Sequence, residues 1–207
     1  MELLQRNFRN QRHNLPTFDL HLRNLFPMSI QSSYQKAFFF AAQKHHISEN
    51  WVNGTLDVPY AVHIGNVAME MIFAHHQSPT FDLNFAVQLA LLHDVLEDTS
   101  CEETEMEERF GTAVVEGVKA LTKNESLEKN LQMADSLERI LVSPPEVGMV
   151  KLADRITNLQ PPPSHWTSEK IKSYHSEAEL ILNTLGHLNA ALSERMKEQM
   201  AVYQSFF

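Results

Sequence analysis

From Asp82 the chain is nearly all apolar through Leu92, and it then runs straight into His93, Asp94, Glu97 and Asp98. Any fold built from this chain has to place those polar groups at the end of an apolar helix. At helical spacing Glu97 follows His93 by four residues and Asp98 follows Asp94 by four, so the groups cluster near one edge. Carboxylates at the end of a helix sit in the negative field of its macrodipole and repel one another. A bound cation resolves that conflict. The plainer alternative is an acidic helix end facing water, and Ser100 with Glu103 has the form of a capping box opening the next helix.

Six glycines in 207 residues leave few tight turns, which favours helices over a sandwich or barrel. The hydrophobic fraction of 43% is enough to fill one sizeable core. A single cysteine, Cys101, excludes an internal disulfide framework and fits a reducing compartment. The formal charge of −9 argues against a general nucleic-acid binder, since phosphate backbones are held by clustered Lys and Arg. No apolar run approaches the roughly 20 residues of a membrane span, and the first residues lack a signal peptide's apolar core. The expectation is a cytoplasmic protein without a membrane partner, whose oligomeric state the sequence leaves open.

Met1 to Met28 carries Arg6, Arg9, Arg12 and Arg23 among scattered apolar residues, with Pro16 and Pro27 as punctuation, and reads as an N-terminal extension. From there to Phe207 the chain alternates helical patterns with short breaks. Gln31 to His46 is too apolar for a surface helix and is expected to be buried on most sides. Ile47 to Pro59 is a loop containing Asn53-Gly54. Helical patterns follow over Tyr60–His76, Asp82–Asp98, Glu102–Phe110, Thr112–Leu121, Asn124–Val142 and Glu146–Leu159, the last ended by Pro161-Pro162-Pro163. Ser168–Leu185 and His187–Phe207 close the chain. With no repeat and no convincing strand, the expected fold is an all-α, single-domain bundle of about eight to ten helices.

Two further stretches carry chemistry. In Val150-Lys151-Leu152-Ala153-Asp154-Arg155, Lys151, Asp154 and Asn158 share a face beside a buried stripe. Taken alone, a surface Lys–Asp pair is the better reading. Pro59-Tyr60-Ala61-Val62-His63 puts a histidine in the first turn of a helix, where a lone imidazole is more often a hydrogen-bonded helix residue than a ligand. The combination is harder to dismiss: His63, then His93-Asp94, then Asp154 lie each at the edge of a separate apolar helical pattern. That order resembles the HD phosphohydrolases. Phe110-Gly111 after HDVLEDT, Ala120-Leu121-Thr122 and then VKLADRITNL are similar to the hydrolase domain of the RelA/SpoT alarmone enzymes and their small stand-alone homologues. The similarity spans roughly Ser32 to Leu192, with Trp166, Tyr174 and Leu185-Gly186 in the family's usual order.

The resemblance implies His63, His93, Asp94 and Asp154 as ligands of one divalent ion, usually manganese in this family. Two imidazoles and two carboxylates suit a Mn²⁺-like ion better than a structural zinc. Glu97 and Asp98 match the catalytic carboxylates that orient or deprotonate the attacking water, with the division between them open. Asn158 matches a nucleoside-pocket asparagine, and Lys151 and Lys44 stand as further substrate-binding candidates. The implied substrate is a nucleotide, ppGpp, whose 3′-pyrophosphate the family releases. Two departures qualify this. Ile47 to Leu56 contains no Arg or Lys where the family has a basic stretch, and Gln160-Pro161 replaces the Arg-Thr pair usual after Asn158. A phosphatase acting on another nucleotide such as NADPH, or a sensing module that binds without cleaving, are the alternatives.

Overall fold

The computed structural model describes residues 29–47 and 58–207. The N-terminal extension and most of the departing segment between Ile47 and Leu56 lie outside the described residues.

The most apolar stretch of the chain becomes its centre. Helix α3 (Leu83–Leu92) packs against α1 (Ile30–Ile47), α2 (Ala61–Gln77), α6 (Thr112–Leu121) and α8 (Pro145–Asn158). Leu89, Ala90, Leu91 and Leu92 are completely buried, and each such leucine contributes about 1.5–3 kcal/mol relative to exposure. Asp82 starts this helix by accepting a hydrogen bond from the Phe85 N–H, as an N-cap carboxylate does. The short α4 (Val95–Asp98) follows, then α5 (Glu103–Phe110), α7 (Lys129–Leu141), α9 (Ser168–Leu185) and α10 (Ala190–Tyr203). The described residues thus form an all-α bundle with ten α-helices, as expected.

Several details differ from the sequence reading. The pattern over Asp82–Asp98 is two helices, because Asp94 adopts φ −102° and ψ 0° and interrupts the helix between Leu92 and Val95. The Asp98 N–H still reaches the Asp94 carbonyl at 2.8 Å, so the polar groups stay one turn apart while the chain turns at the His93-Asp94 pair. The capping box does not form: α5 starts after Glu102 without a side-chain cap. Thr99 serves the backbone there instead, accepting from the Cys101 N–H at 3.2 Å. Helix α7 begins five residues later than expected, since Asn124 bends the chain by accepting from the Ser126 N–H and hydroxyl, a local bond that competes with helix. The last pattern is broken by Asn189, which caps α10 through the Leu192 N–H.

Helix α1 is not buried on most sides. Ala37 and Ala41 are fully buried against α3, whereas Phe39 is 80% exposed. The small residues let one face of α1 approach α3 closely, and the other face has no partner among the described residues. The junction of α5 and α6 falls at Gly111 as expected, with φ 87°, a backbone region that favours glycine.

Candidate metal centre

Three packed elements bring the histidines and aspartates together: α2 carries His63, the α3–α4 turn carries His93 and Asp94, and α8 carries Asp154. The Nε2 atoms of His63 and His93 lie 3.4 Å apart. Asp154 Oδ1 is 3.4 Å from His63 Nε2 and 3.7 Å from His93 Nε2. Asp94 Oδ2 is 2.9 Å from His93 Nε2 and 3.9 Å from His63 Nε2. Both imidazoles are buried.

The outer nitrogens decide what these rings present inward. The His93 Nδ1–H donates to the Ala90 carbonyl at 2.8 Å, because a carbonyl can only accept. Thr157 donates its hydroxyl hydrogen to the Asp154 carbonyl at 2.9 Å, so its oxygen accepts from His63 Nδ1–H at 3.4 Å. In its neutral form each ring therefore turns an Nε2 lone pair toward the other ring and toward two carboxylates. Such a set of acceptors needs a cation among them. Ligands about 2.1 Å from one ion lie roughly 3–3.5 Å from each other; the two imidazoles and the His63–Asp154 pair, each at 3.4 Å, have that spacing, and the other separations run from 2.9 to 3.9 Å. His63, His93 and Asp154 offer ligand atoms that all fall within 4.8 Å of one another, and Asp94 Oδ2 stands beside them.

The charges are strongly coupled. Burial works to lower the His93 pKa, but Asp94 and Asp154 beside it outweigh burial and hold it well above the usual histidine range. Burial works to raise both aspartates; His93 pulls Asp94 below the ordinary carboxylate range, and Lys151 with the two histidines does the same to Asp154. Lys151 Nζ is 3.5 Å from Asp154 Oδ2, and Asn158 Nδ2 donates to Asp154 Oδ1 at 2.6 Å. The Tyr60 hydroxyl donates to Asp94 Oδ2, and burial with the nearby Asp94 charge keeps that phenol protonated.

Glu97 and Asp98 line the same cavity of about 260 Å³ as His93, Asp94 and Asp154. They are not equivalent there. Both Glu97 oxygens are occupied by Lys123, one by its backbone N–H at 2.9 Å and one by its ammonium. Desolvation, with Asp94 and Glu97 nearby, pushes Asp98 up to about 6. Lys151 and Asn158 line this cavity too. Lys44 does not: its ammonium pairs with Glu105 at 2.5 Å on α5. His45, buried in the same turn of α1, packs against the Tyr60 ring at 4.5 Å, and burial lowers its pKa to about 4. A larger cavity, about 770 Å³, lies beside α5, α6 and α7 and shares only Lys123 with the lining of the first.

The HD domain family matches residues 37–189. The chain belongs to the HD domain family. Among HD-domain relatives, the guanosine-3′,5′-bis(diphosphate) 3′-pyrophosphohydrolase MESH1 of Danio rerio is 29% identical over 163 residues, covering 77% of this chain and 87% of that protein. Its Homo sapiens counterpart is 30% identical over 162 residues, covering 76% and 87%. The solved structure of a metazoan ortholog of SpoT that hydrolyses ppGpp superposes with a TM-score of 0.73 at 26% identity, covering 88% of this chain and 99% of that one. Tyr60, Thr157 and the Lys123 clamp on Glu97 are the parts of this HD site that sequence reasoning missed. For Thr157 a signal existed, since it follows Asp154 by three residues on one helix face.

Proposed function

We propose that this chain is a metal-dependent phosphohydrolase that releases the 3′-pyrophosphate of ppGpp, with one Mn²⁺ held by His63, His93, Asp94 and Asp154. The observation that carries the reading is the convergence of two inward-facing imidazole Nε2 atoms and two carboxylates, one turn from Glu97 and Asp98. Relatives named for this reaction in zebrafish and human support the substrate. The mixed nitrogen and oxygen donor set supports manganese over a structural zinc. A bound divalent ion supplies positive charge that acidifies water and polarises a phosphoryl oxygen.

The chain's own residues supply the rest. Ala90 and Thr157 fix both imidazole tautomers, and Tyr60 and Asn158 hold Asp94 and Asp154 in place. Asp98, with both a raised pKa and access to the cavity, takes the proton from the attacking water. Glu97, with both oxygens engaged by Lys123, orients it. Lys151 and Asn158 face the substrate phosphate and nucleoside. A cytoplasmic setting belongs to this proposal, supported by the single cysteine and by the absence of any described helix long and apolar enough to cross a membrane.

The test is phosphate and pyrophosphate release from a nucleotide panel by the purified chain with Mn²⁺. Release of pyrophosphate from ppGpp ahead of phosphate from NADPH is expected; the reverse order makes the chain a different nucleotide phosphatase. Glu97→Gln combined with Asp98→Asn should retain metal and nucleotide while losing about 10²–10⁴-fold in turnover. Turnover within twofold of wild type would make these residues mere helix-end acids.

A further inference from the structure

The cavity beside the donor set, about 260 Å³, is smaller than the roughly 300 Å³ from which ligand pockets begin. A second cavity of about 230 Å³ opens on the His63 side and shares the wall residue Asn158 with the first, which sets the two side by side as adjacent arms beside the donor set. His63, Asn66 and Glu70 all line the second arm and follow one another at three and four residues along α2, on one helix face. At 1.5 Å per residue, Glu70 stands about 10 Å along the axis from His63. That span is comparable to the distance from a ribose phosphate to the far edge of its base. Val62, Met69 and Ile156 add apolar surface to the same arm, suited to the faces of a planar ring.

Glu70 takes no part in the hydrolysis described above. It is 8% exposed, and its one hydrogen bond among the described residues comes from Arg195 Nε to Oε1 at 3.5 Å. The two groups form an ion pair at 3.5 Å, while Oε2, without a hydrogen bond among the described residues, is open to solvent. A carboxylate is acceptor-only, so its accessible oxygen takes hydrogen bonds from water or from a ligand's donors that displace that water. A ligand edge with two adjacent N–H donors satisfies it. Guanine presents such an edge through N1–H and the N2 amino group, whereas adenine sets an acceptor at N1 and repels a carboxylate there.

We infer that Glu70 is a specificity-determining residue that selects guanine in the His63-side arm of the cleft. The inference rests on the nucleotide reading above. It gives the cleft a means of choosing its substrate that does not depend on the basic stretch this chain lacks.

The experiment compares ppGpp with its inosine counterpart, which lacks the N2 amino group, using the full chain loaded with Mn²⁺. Glu70→Gln should raise KM for ppGpp roughly 10- to 100-fold, the loss expected for a charged hydrogen bond, leave kcat within a few-fold, and bring the two substrates level. Glu70→Met, which removes both acceptors, takes its place if the glutamine variant does not fold. A variant that keeps the wild-type guanine-to-inosine ratio overturns the assignment, because a merely structural Glu70 affects both substrates alike. Calorimetric binding of GDP and ADP separates this inference from the hydrolase reading. Selective GDP binding that Glu70→Gln abolishes, with no turnover of any nucleotide, sinks the hydrolase and keeps the assignment. Equal binding of GDP and ADP by the wild type overturns the assignment even if ppGpp is cleaved.

Discussion

At the scale of single residues, the site divides one motif into unlike roles. Glu97 and Asp98 are neighbours, yet Lys123 occupies both oxygens of the first, while Asp98 is pushed up to about 6. A base works only when ionised, and a raised carboxylate pKa means that Asp98 is protonated below about pH 6. With Asp98 as the base, kcat/KM of the metal-loaded chain rises with pH through the Asp98 pKa, which a bound ion offsetting the Asp94 charge brings below 6, and levels above it. Asp98→Asn should remove that acidic limb together with most of the activity; a limb that survives in the residual rate assigns the proton transfer elsewhere. The clustering of His93, Asp94, Glu97 and Asp98 was legible in the sequence because helical spacing fixes it. The inequality of Glu97 and Asp98 was not, since the clamp comes from Lys123, 26 residues further on and across the fold.

At the scale of helices, the chain places its chemistry where its most apolar segment ends. Burial of α3 on several sides fixes its C-terminal turn, and α2 and α8 pack beside it to deliver His63 and Asp154. The proposed ion, held by residues of all three elements, would tie them together. A ligand at a hundred times its Kd stabilises the folded state by about 2.7 kcal/mol. Melting temperature should therefore rise on adding Mn²⁺ to wild type and stay put in His63→Ala; an equal rise in both would mean that the ion binds elsewhere. Gly111 offers a separate test of the scaffold. Its φ of 87° and ψ of 162° belong to a region that costs other residues about 1–3 kcal/mol, and nothing lies within 4 Å of an added Cβ. Denaturant unfolding of Gly111→Ala should show that loss with the site's metal affinity unchanged. Helix existence was readable from apolar periodicity and from Gly111, but helix ends at Asn124 and Asn189 were set by side-chain bonds to the backbone that compete with any pattern. The exposed face of α1 escaped notice because a run of phenylalanines carries no sign of which side its neighbours will cover.

At the scale of the whole molecule, the convergence of His63, His93, Asp94 and Asp154 was legible because their residue types come in a specific order, while the cleft around them was not, since its walls come from distant segments. Lys44 looked like a pocket residue from its place in α1 and instead pairs with Glu105 on α5. Arg195 and Glu70, 125 residues apart, meet in the second arm with no shared motif to announce them. What the assembled molecule predicts is hydrolysis that depends on one ion at one place. The most direct measurement is pyrophosphate release from ppGpp by the purified chain with Mn²⁺, after chelation, and after Mn²⁺ is restored. The account predicts release that chelation abolishes and added Mn²⁺ returns, and no such recovery in Asp154→Ala. Release that is indifferent to chelation, or none with any divalent ion, would contradict it.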